Sequence, residues 1–262
     1  MLNFCVAGAT GKMGEAIIRE ATSKGHQIVG AIEAHNNPNI GKSLREIGFA
    51  NSDTIIMTSD RIIEACANAD VYISFTAPAA EIQNLPKVAN IGKRIILGTT
   101  GFTEEQDQSI RNTISKVPAV FSPNYSVGVN ILFKLAQVLK AFPQNYNFSI
   151  SEIHHTAKKD APSGTAVKLG QIVADMRGYT TTVTGRKGIS VRTPDELEIV
   201  AMRAGGVPGI HDLIVAGPYE MLRIEHTAFS RNVLAQGAVY AAEWLSEQQN
   251  AGIYSMTTVL GL

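Results

Sequence analysis

Neither sign of charge is in excess in this sequence, which carries 23 Lys and Arg residues against 23 Asp and Glu residues. This balance argues against a protein that binds nucleic acid mainly through bulk positive charge. Cysteine is also scarce, because the chain has only Cys5 and Cys66. The two do not have the spacing of metal ligands, so we expect buried thiols in a reducing compartment.

The chain also lacks long apolar runs and a leader. No apolar run approaches the roughly 18 residues that a membrane-spanning helix needs, and Met1-Leu-Asn-Phe4 leads directly into the first predicted strand. We therefore expect a cytoplasmic protein without a membrane partner. With 262 residues, of which 45% are hydrophobic, the chain is long enough for one large domain or two modest ones.

The first half of the chain alternates predicted strands with predicted helices. Strands are expected at residues 2–7, 27–32, 55–58, 71–75, 94–97 and 119–121. Helical patterns separate them, including one over 81–90 that Pro86 is expected to break and one that follows the N-cap Thr103. This order predicts an α/β domain with a Rossmann-type, doubly wound parallel sheet and right-handed crossovers.

A glycine turn joins the first strand to the first helix as Gly8-Ala-Thr-Gly11-Lys-Met-Gly14. Such a turn brings a dinucleotide pyrophosphate onto a helix N-terminus. About 20 residues later, Glu33 ends the second strand, where a carboxylate can accept both ribose hydroxyls of the adenosine; a solvated glutamate is the alternative. Ala34 follows, where an arginine would favour a 2′-phosphate. This favours NADH, although Lys12 or His35 could still meet that phosphate.

Ligands of doubly wound sheets bind beyond the carboxyl ends of the strands. Five predicted strand ends carry small or polar residues, at positions 8–14, 33, 75–76, 98–100 and 122–125. Because the carboxyl ends of parallel strands lie along one edge of the sheet, we predict a nicotinamide-dinucleotide site there.

A second domain of another class is predicted after residue 126. An amphipathic helix over 127–142 leaves the parallel sheet, and strands are expected at 148–153, 181–184, 189–192, 197–203, 213–216 and 221–227. Several of them alternate apolar and polar residues, which predicts an α+β domain with a mixed sheet faced by two helices. A helix over 233–246 then returns, so residues 1–126 and 233–262 are predicted to form the first domain and residues 127–232 the second.

The densest group of proton-carrying side chains connects a strand to a helix, in Ser151-Glu-Ile-His-His-Thr-Ala-Lys-Lys-Asp-Ala-Pro-Ser-Gly-Thr-Ala166. Histidine exchanges protons near neutral pH, lysine offers a charge and donors, and a helix N-terminus suits a carboxylate. Structural histidines and an ordinary N-cap are the alternatives. No third ligand appears at metal spacing, so no metal is predicted. The residue types fit hydride transfer to a small anion, followed by protonation.

This segment closely resembles the signature of the 4-hydroxy-tetrahydrodipicolinate reductases (dihydrodipicolinate reductases). Further stretches resemble the family in the same order, at residues 6–14, 98–102, 122–130, 203–211 and 252–262. The resemblance implies NAD(P)H-dependent reduction of (2S,4S)-4-hydroxy-2,3,4,5-tetrahydrodipicolinate to (S)-2,3,4,5-tetrahydrodipicolinate with loss of water, in the diaminopimelate route to L-lysine.

The resemblance also implies roles for individual residues. His154 matches the family's proton donor or acceptor and Lys158 its proton donor, while His155, Gly164 and Thr165 match substrate-binding positions. The implied cofactor positions are Gly8, Ala9, Thr10, Gly11, Lys12, Met13, Glu33, Gly98, Thr99, Thr100, Ser122, Pro123, Asn124 and Tyr125. A small dicarboxylate substrate is implied, and so is a homotetramer formed through the sheet of the 127–232 domain, which then serves substrate binding and oligomerisation.

Two other functions compete with this prediction. Another NAD(P)-dependent dehydrogenase of a small amino or aldehyde acid would share the first domain, but the whole stretch over 154–165 argues against it. Outside enzymes, the alternative is a catalytically silent nucleotide-sensing or scaffold protein. The intact His154 and Lys158 argue against that function.

Overall fold

A computed structural model describes residues 1–262, the whole chain. The strands are β1 (Asn3–Ala7), β2 (Gln27–Glu33), β3 (Ile56–Thr58), β4 (Val71–Ser74), β5 (Arg94–Leu97), β6 (Pro118–Phe121), β7 (Asn147–His154), β8 (Thr181–Val183), β9 (Glu196–Arg203), β10 (Gly209–Ala216), β11 (Met221–Ala228) and β12 (Gly252–Tyr254). The α-helices are α1 (Lys12–Ser23), α2 (Ile62–Cys66), α3 (Pro78–Asn90), α4 (Glu104–Ile114), α5 (Val127–Val138), α6 (Gly164–Arg177), α7 (Asn232–Ser246) and α8 (Met256–Val259). None of these helices combines the length and apolarity that crossing a lipid bilayer requires.

Two compact units divide the chain. The first unit comprises Met1–Ser126 and Asn232–Gly261, and the second comprises Val127–Arg231 with Leu262. Each unit is built around a sheet of its own, with seven strands in the first and five in the second.

The first unit is built on a parallel sheet in the order β12-β6-β5-β4-β1-β2-β3. Along β1, Phe4 and Val6 belong to the core that includes residues of α1, α7 and α8, whereas Cys5 and Ala7 belong to the core that includes residues of α2, α3 and α4. Successive side chains of a strand point to opposite faces, so helices cover both faces of the sheet. The predicted doubly wound parallel sheet is confirmed, and Cys5 and Cys66 are free, buried thiols as predicted.

Helix α3 continues through Pro86, so the prediction of a break there was wrong. Proline removes the N–H that would bond the carbonyl four residues earlier, at Ile82. Both residues lie on the exposed face of the helix, where water can take up the freed carbonyl. The helix also begins before the predicted start, at Pro78, because proline is favourable in a first turn.

The second unit has a mixed sheet in the order β11-β10-β7-β9-β8. Strands β7, β9 and β8 run parallel, whereas β10 is antiparallel to both β7 and β11. Its core joins Leu132 of α5 and Leu169 of α6 to Phe148 and Leu213 of the sheet. The predicted mixed sheet faced by two helices is confirmed.

Residues 189–192 form no strand, contrary to the prediction. Ile189 and Val191 are almost fully exposed, so their alternation with polar residues has no core to pack on. Arg192 anchors the segment by donating to the carbonyl oxygens of Phe148 (2.9 Å) and Glu196 (2.7 Å). The strand preference of an alternating segment depends on such packing, and here it is missing.

Candidate active site

In the turn between β1 and α1, the N–H groups of residues 8–11 are donated within the protein, and the N–H groups that begin α1 are the ones that can meet an anion. Gly8 has a φ of +68°, which side chains rarely adopt, and a Cβ at Gly14 would lie 2.0 Å from the Gly8 carbonyl oxygen. Gly11 precedes α1 without a side-chain capping hydrogen bond. The first N–H groups of a helix have no partner within it, so Lys12 and Met13 are placed to meet phosphates.

The carboxylate of Glu33 is held against this turn. Its Oε1 accepts from the N–H (2.7 Å) and the hydroxyl (2.8 Å) of Thr10, and its Oε2 accepts from the N–H of Ala34 (3.2 Å). Ala9, between Gly8 and Thr10, is buried. A cavity of about 430 Å³ opens beside Glu33 and is also lined by Gly8. A carboxylate at the end of the second strand is the group that dinucleotide-binding folds use for the ribose hydroxyls.

The other predicted cofactor residues follow β5 and β6. Residues 98–100 and 122–125 both contribute to the lining of a smaller cavity of about 240 Å³. The side chain of Tyr125 is buried instead, and its hydroxyl donates to the carbonyl oxygens of Leu97 and Val120 (both 2.9 Å). Tyr125 therefore joins the ends of β5 and β6, and its hydroxyl is already used within the protein.

The strand order brings the loops after β1, β2 and β4 to one crevice, while the loops after β5 and β6 line the smaller cavity. From β1 the sheet continues through β2 and β3 on one side, and through β4, β5 and β6 on the other. Strands β1 and β4 therefore meet at the topological switch point, where doubly wound sheets bind ligands. Gly8, Glu33 and Thr76, which lies just beyond β4, line the same cavity there. These residues fit a nicotinamide dinucleotide.

In the second unit, His154 ends β7 on the side of the sheet that faces the core. Phe148, Ile150, Glu152 and His154 are buried, and the residues between them are less so. Side chains two residues apart in a strand share a face. The strand therefore aims Glu152 and His154 in the same direction, whereas the half-buried His155 falls outside this row.

A buried hydrogen-bond network fixes the ring of His154. Its Nδ1 is bonded to Oε2 of Glu152. Oε1 of Glu152 accepts from the N–H of Ser163 (3.1 Å) and from both terminal nitrogens of Arg203 (3.1 and 3.2 Å). Glu152 has no exposed surface, so Arg203 supplies the cation that a buried carboxylate needs. An ionised Glu152 can only accept, so His154 donates through Nδ1 and leaves Nε2 for proton exchange.

The two buried histidines near this network are held neutral. Burial lowers the pKa of His154, although the hydrogen bond to Glu152 opposes that effect. His211 packs edge-on against His154, with the ring centroids 5.1 Å apart. Burial, and then the repulsion that protonated His154 and His226 would exert, lower the pKa of His211 to about 3. His211 therefore stays uncharged, with Nε2 at 3.2 Å from the hydroxyl of Ser163.

Glu152, His154 and His211 also bring three possible metal-ligand atoms within 4.8 Å of one another. The carboxylate is already engaged, because Arg203 binds Oε1 and His154 binds Oε2. A metal ion at this place would lie beside the guanidinium, and the two positive charges would repel each other. The group therefore suits a proton better than a metal ion, and the absence of a metal site stays a prediction.

The loop after β7 adds positive charge. Nζ of Lys158 pairs with Asp160 at 2.9 Å, and this ammonium lowers the pKa of the Asp160 carboxyl. The guanidinium of Arg231 lies 2.7 Å from Nε2 of His155. Because His155 cannot accept from Arg231 while it is protonated at Nε2, its proton is placed on Nδ1. Two cationic side chains are thus present in the neighbourhood of the predicted substrate residues.

Gly164 and Thr165 begin α6, as predicted for the anion-binding helix. Ser163 is the N-cap, and its hydroxyl accepts from the N–H of Ala166 (3.2 Å). Since Ser163 also donates its own N–H to Glu152, the start of α6 is tied to the network around His154. A helix N-terminus in this position attracts a carboxylate through its N–H groups and its dipole.

Sequence reasoning singled out His154 and Lys158 but missed the support around them. One signal was available, because Glu152 precedes His154 by two residues in an alternating strand. Arg203 and His211 come from β9 and β10, where the pairing sets Arg203 opposite His154 and His211 opposite Glu152. That register is a long-range property, which one sequence does not reveal.

Two family models match the chain, one described as dihydrodipicolinate reductase, N-terminus, over residues 2–125, and one as the C-terminus over residues 128–260. A 4-hydroxy-tetrahydrodipicolinate reductase of Methanosarcina acetivorans is 42% identical, with 100% of both chains covered. One from Syntrophus aciditrophicus is 38% identical, with 100% of this chain and 99% of that one covered.

Solved structures share the fold. A dipicolinate-bound dihydrodipicolinate reductase from Paenisporosarcina sp. TG-14 has a TM-score of 0.75 and 21% identity, with 97% of each chain covered. An amine dehydrogenase from Mycobacterium smegmatis has a TM-score of 0.65 and 12% identity, with 97% of this chain and 95% of that one covered. Other dehydrogenases thus share the fold, and the sequence matches over the whole length decide between them. The chain belongs to the dihydrodipicolinate reductase family, as its motifs predicted.

Proposed function

We propose that His154 and Lys158 perform the proton chemistry of the reaction of this family. The chain is an NAD(P)H-dependent oxidoreductase that reduces 4-hydroxy-tetrahydrodipicolinate to tetrahydrodipicolinate in lysine biosynthesis. The reaction consumes a hydride and a proton and releases water. The observation that carries the assignment of roles is the buried His154, whose Nδ1 is held by the ion-paired Glu152.

His154 is arranged as a proton acceptor in the free protein. Its lowered pKa keeps the ring neutral at neutral pH, and Glu152 holds Nδ1, so Nε2 is the atom that exchanges a proton. A bound dicarboxylate brings negative charge, which favours the protonated imidazole. We expect His154 to gain a proton as the substrate binds. His154 or the ammonium of Lys158 then protonates the ring after the hydride has been added.

The substrate is a small dicarboxylate in this proposal. Gly164 and Thr165 at the start of α6 would bind one carboxylate through their N–H groups. His155 and Lys158 would bind the same molecule through charge-assisted hydrogen bonds. The dipicolinate held by the similar reductase from Paenisporosarcina supports a ligand of this class.

The first unit would hold the nicotinamide dinucleotide, which supplies the hydride when it is bound. Residues 8–13 would bind its phosphates, and Glu33 would accept the ribose hydroxyls of the adenosine. Residues 98–100 and 122–125 follow the strands on the nicotinamide side of the switch point. We infer a preference for NADH over NADPH, because Glu33 and Ala34 offer no cation to a 2′-phosphate.

The chain also fits a homotetramer in the cytoplasm. The edge strand β11 exposes Met221 and Leu222, and Tyr219 and Phe229 near its ends are almost fully exposed. Exposed apolar side chains along a sheet edge favour pairing with another copy of the sheet. The free cysteines Cys5 and Cys66 support a reducing compartment.

The Lys158→Ala variant tests the proposed function. We expect turnover to fall about 100-fold or more, because a positioned proton donor contributes that much to a rate. The dissociation constant for NADH should stay within about twofold of the wild-type value, since Lys158 is not in the dinucleotide-binding unit. Lys159→Ala is the matched control, because its side chain is the exposed neighbour of the half-buried Lys158.

Steady-state assays with the product of dihydrodipicolinate synthase, together with NADH titration, separate the possible results. A Lys158→Ala variant that turns over like the wild type would refute the role of this ammonium. If Lys159→Ala lost as much activity as Lys158→Ala, general charge in the loop would explain the loss. Reduction of amino or aldehyde acids in place of the family's substrate would favour the competing dehydrogenase.

A further inference from the structure

A second buried carboxylate lies in the first unit, at Glu81 of α3. It has no exposed surface. Three hydroxyl groups converge on its Oε1, those of Ser74 (2.5 Å), Thr76 (2.5 Å) and Thr99 (2.6 Å). Its other oxygen, Oε2, is buried and has no hydrogen-bond partner. Neither the proposed mechanism nor the sequence motifs assign a role to this group.

The contacts indicate that Glu81 is ionised. Hydroxyl-to-carboxylate hydrogen bonds are typically about 2.5–2.7 Å long, shorter than those between neutral groups. A proton on Oε1 could be donated to only one of the three hydroxyls, and a proton on Oε2 would have no acceptor, because that buried oxygen has no hydrogen-bond partner. The side chain of Thr99 also accepts from the N–H of Thr76 (2.9 Å), so its own hydrogen is directed to Glu81.

Hydroxyl dipoles and the N-terminal end of α3, whose first turn contains Glu81, stabilise this charge. No Lys, Arg or His side chain is among the hydrogen-bond partners of Glu81. Burying a carboxylate without a cation costs free energy, and the unpartnered Oε2 adds to that cost. Buried titratable groups of this kind are concentrated at functional sites, and there a ligand can supply the opposite charge.

The position of Glu81 indicates which part of a ligand would carry this positive charge. Ser74 ends β4, Thr76 and Thr99 lie just beyond β4 and β5, and β4 is next to β1 at the switch point of the sheet. The methyl group of Thr76 would be 3.0 Å from a Cβ at Gly8, in the phosphate turn. Thr76 also lines the cavity shared with Glu33. Since Glu33 marks the adenosine side of β1, the nicotinamide half lies on the β4 and β5 side.

We propose that Glu81 stabilises the oxidised, positively charged nicotinamide relative to the reduced one. When the hydride leaves NAD(P)H for the substrate carbon, both electrons go with it and the ring acquires a unit positive charge. The buried carboxylate attracts this charge through the hydroxyls of Thr76 and Thr99, while the neutral reduced ring gains much less. The proposal rests on the binding of NAD(P)H to the first unit, as set out under the proposed function.

Measuring the binding of NADH and of NAD⁺ tests the proposal for Glu81 without turnover. We would measure the dissociation constants of NADH and NAD⁺ for wild type and Glu81→Gln by calorimetric titration. Glutamine keeps the length of the side chain and removes the charge. We expect the affinity for NAD⁺ to fall on the order of 10-fold relative to that for NADH, as the loss of one attractive charge in a partly screened site would give.

The controls separate charge from structure. Glu64→Gln removes an exposed carboxylate of α2 that pairs with Arg61, and should leave the ratio of the two constants unchanged. Glu81→Asp keeps the charge but moves it farther from the proposed position of the ring, because its side chain is one carbon shorter. It should therefore lower the affinity for NAD⁺ relative to NADH less than Glu81→Gln does. If Glu81→Gln does not fold, as judged by circular dichroism, the aspartate variant takes its place, with a smaller shift of the same sign.

Other results would overturn the proposal. An equal loss of NADH and NAD⁺ binding in Glu81→Gln would mean that Glu81 only holds the ends of β4 and β5 together. An unchanged ratio, with both constants intact, would mean that the charge does not reach the ring. If wild type bound neither form, the proposed cofactor site itself would be wrong, and Glu81 would have no part in the result.

Discussion

The two units balance the carboxylates of their candidate sites in opposite ways. In the second unit, Glu152 meets the guanidinium of Arg203, an imidazole and a backbone N–H. In the first unit, Glu81 meets three hydroxyls, and Glu33 meets a hydroxyl and two N–H groups. No cation is among the partners of either carboxylate in the first unit.

The difference reflects what each unit has to accept. A carboxylate already paired with a cation is suited to holding a neighbouring ring, because its charge is balanced within the protein. A carboxylate held only by dipoles keeps its attraction for a positive charge or a donor that arrives with a ligand. Under the proposed function, the second unit would present positive charge to an acidic substrate, and the first would present acceptors to ribose hydroxyls and the nicotinamide ring.

The largest expected effect comes from removing the paired carboxylate. In Glu152→Gln the amide can donate to Nδ1 of His154, which would put the imidazole in the wrong tautomer. We expect turnover to fall about 100-fold or more, with NADH binding unchanged. The free energy of unfolding should also fall by about 3 kcal/mol, because Arg203 is left without its carboxylate.

A pH profile distinguishes this positioning role from a structural one. The hydrogen bond to Glu152 raises the pKa of His154 against the effect of burial. Its loss should therefore move the histidine limb of the kcat/KM profile to lower pH. Glu198→Gln, which alters a carboxylate of β9 paired with Arg186, is the matched control. A Glu152→Gln protein that was less stable but kept its turnover and pH profile would contradict the positioning role.

A smaller effect is expected on stability in acid, and it should come from the second unit. Unfolded His211 takes up a proton as the pH falls below its ordinary pKa of 6.5, whereas the folded ring does so only near pH 3. Stability is therefore unaffected above pH 6.5 and is lost as the pH falls from 6.5 towards 3. At pH 5 the loss from His211 amounts to about 2 kcal/mol, at 1.36 kcal/mol per unit of pH.

Urea denaturation at pH 7 and pH 5 measures this loss. In His211→Gln the difference between the two free energies of unfolding should shrink by about 2 kcal/mol, because glutamine does not titrate. His35→Gln removes an exposed histidine of the first unit and should leave the difference almost unchanged. If both variants kept the wild-type difference, the acid sensitivity would have to arise from groups other than His211.

The two units also differ in how much of them the sequence could predict. Local patterns were enough to predict the glycine turn before α1, the strand that ends at Glu33, the capped helix after Thr103 and the strand that carries His154. The partners that decide charge come from separate segments: Arg203 reaches Glu152 through strand pairing, and Glu81 meets Thr99 from a different strand end. Sequence periodicity indicates which residues are buried, but not which long-range neighbours neutralise them.

The smallest expected effect comes from adding a cation beside Glu33, a carboxylate of the first unit that has no cationic partner. Ala34→Arg places a guanidinium beside Glu33, where the 2′-phosphate of NADPH would lie. The ratio of NADPH to NADH affinity should rise about fivefold, because the new charge attracts the phosphate while Glu33 still accepts from Thr10. Ala34→Gln is the matched control, since it adds a long polar side chain without charge, and titration of both cofactors is the measurement.

An unchanged ratio in Ala34→Arg would show that this strand end does not read the 2′-phosphate. The preference would then have to be set elsewhere in the same cavity, where His35 and Ser59 are the nearest polar candidates.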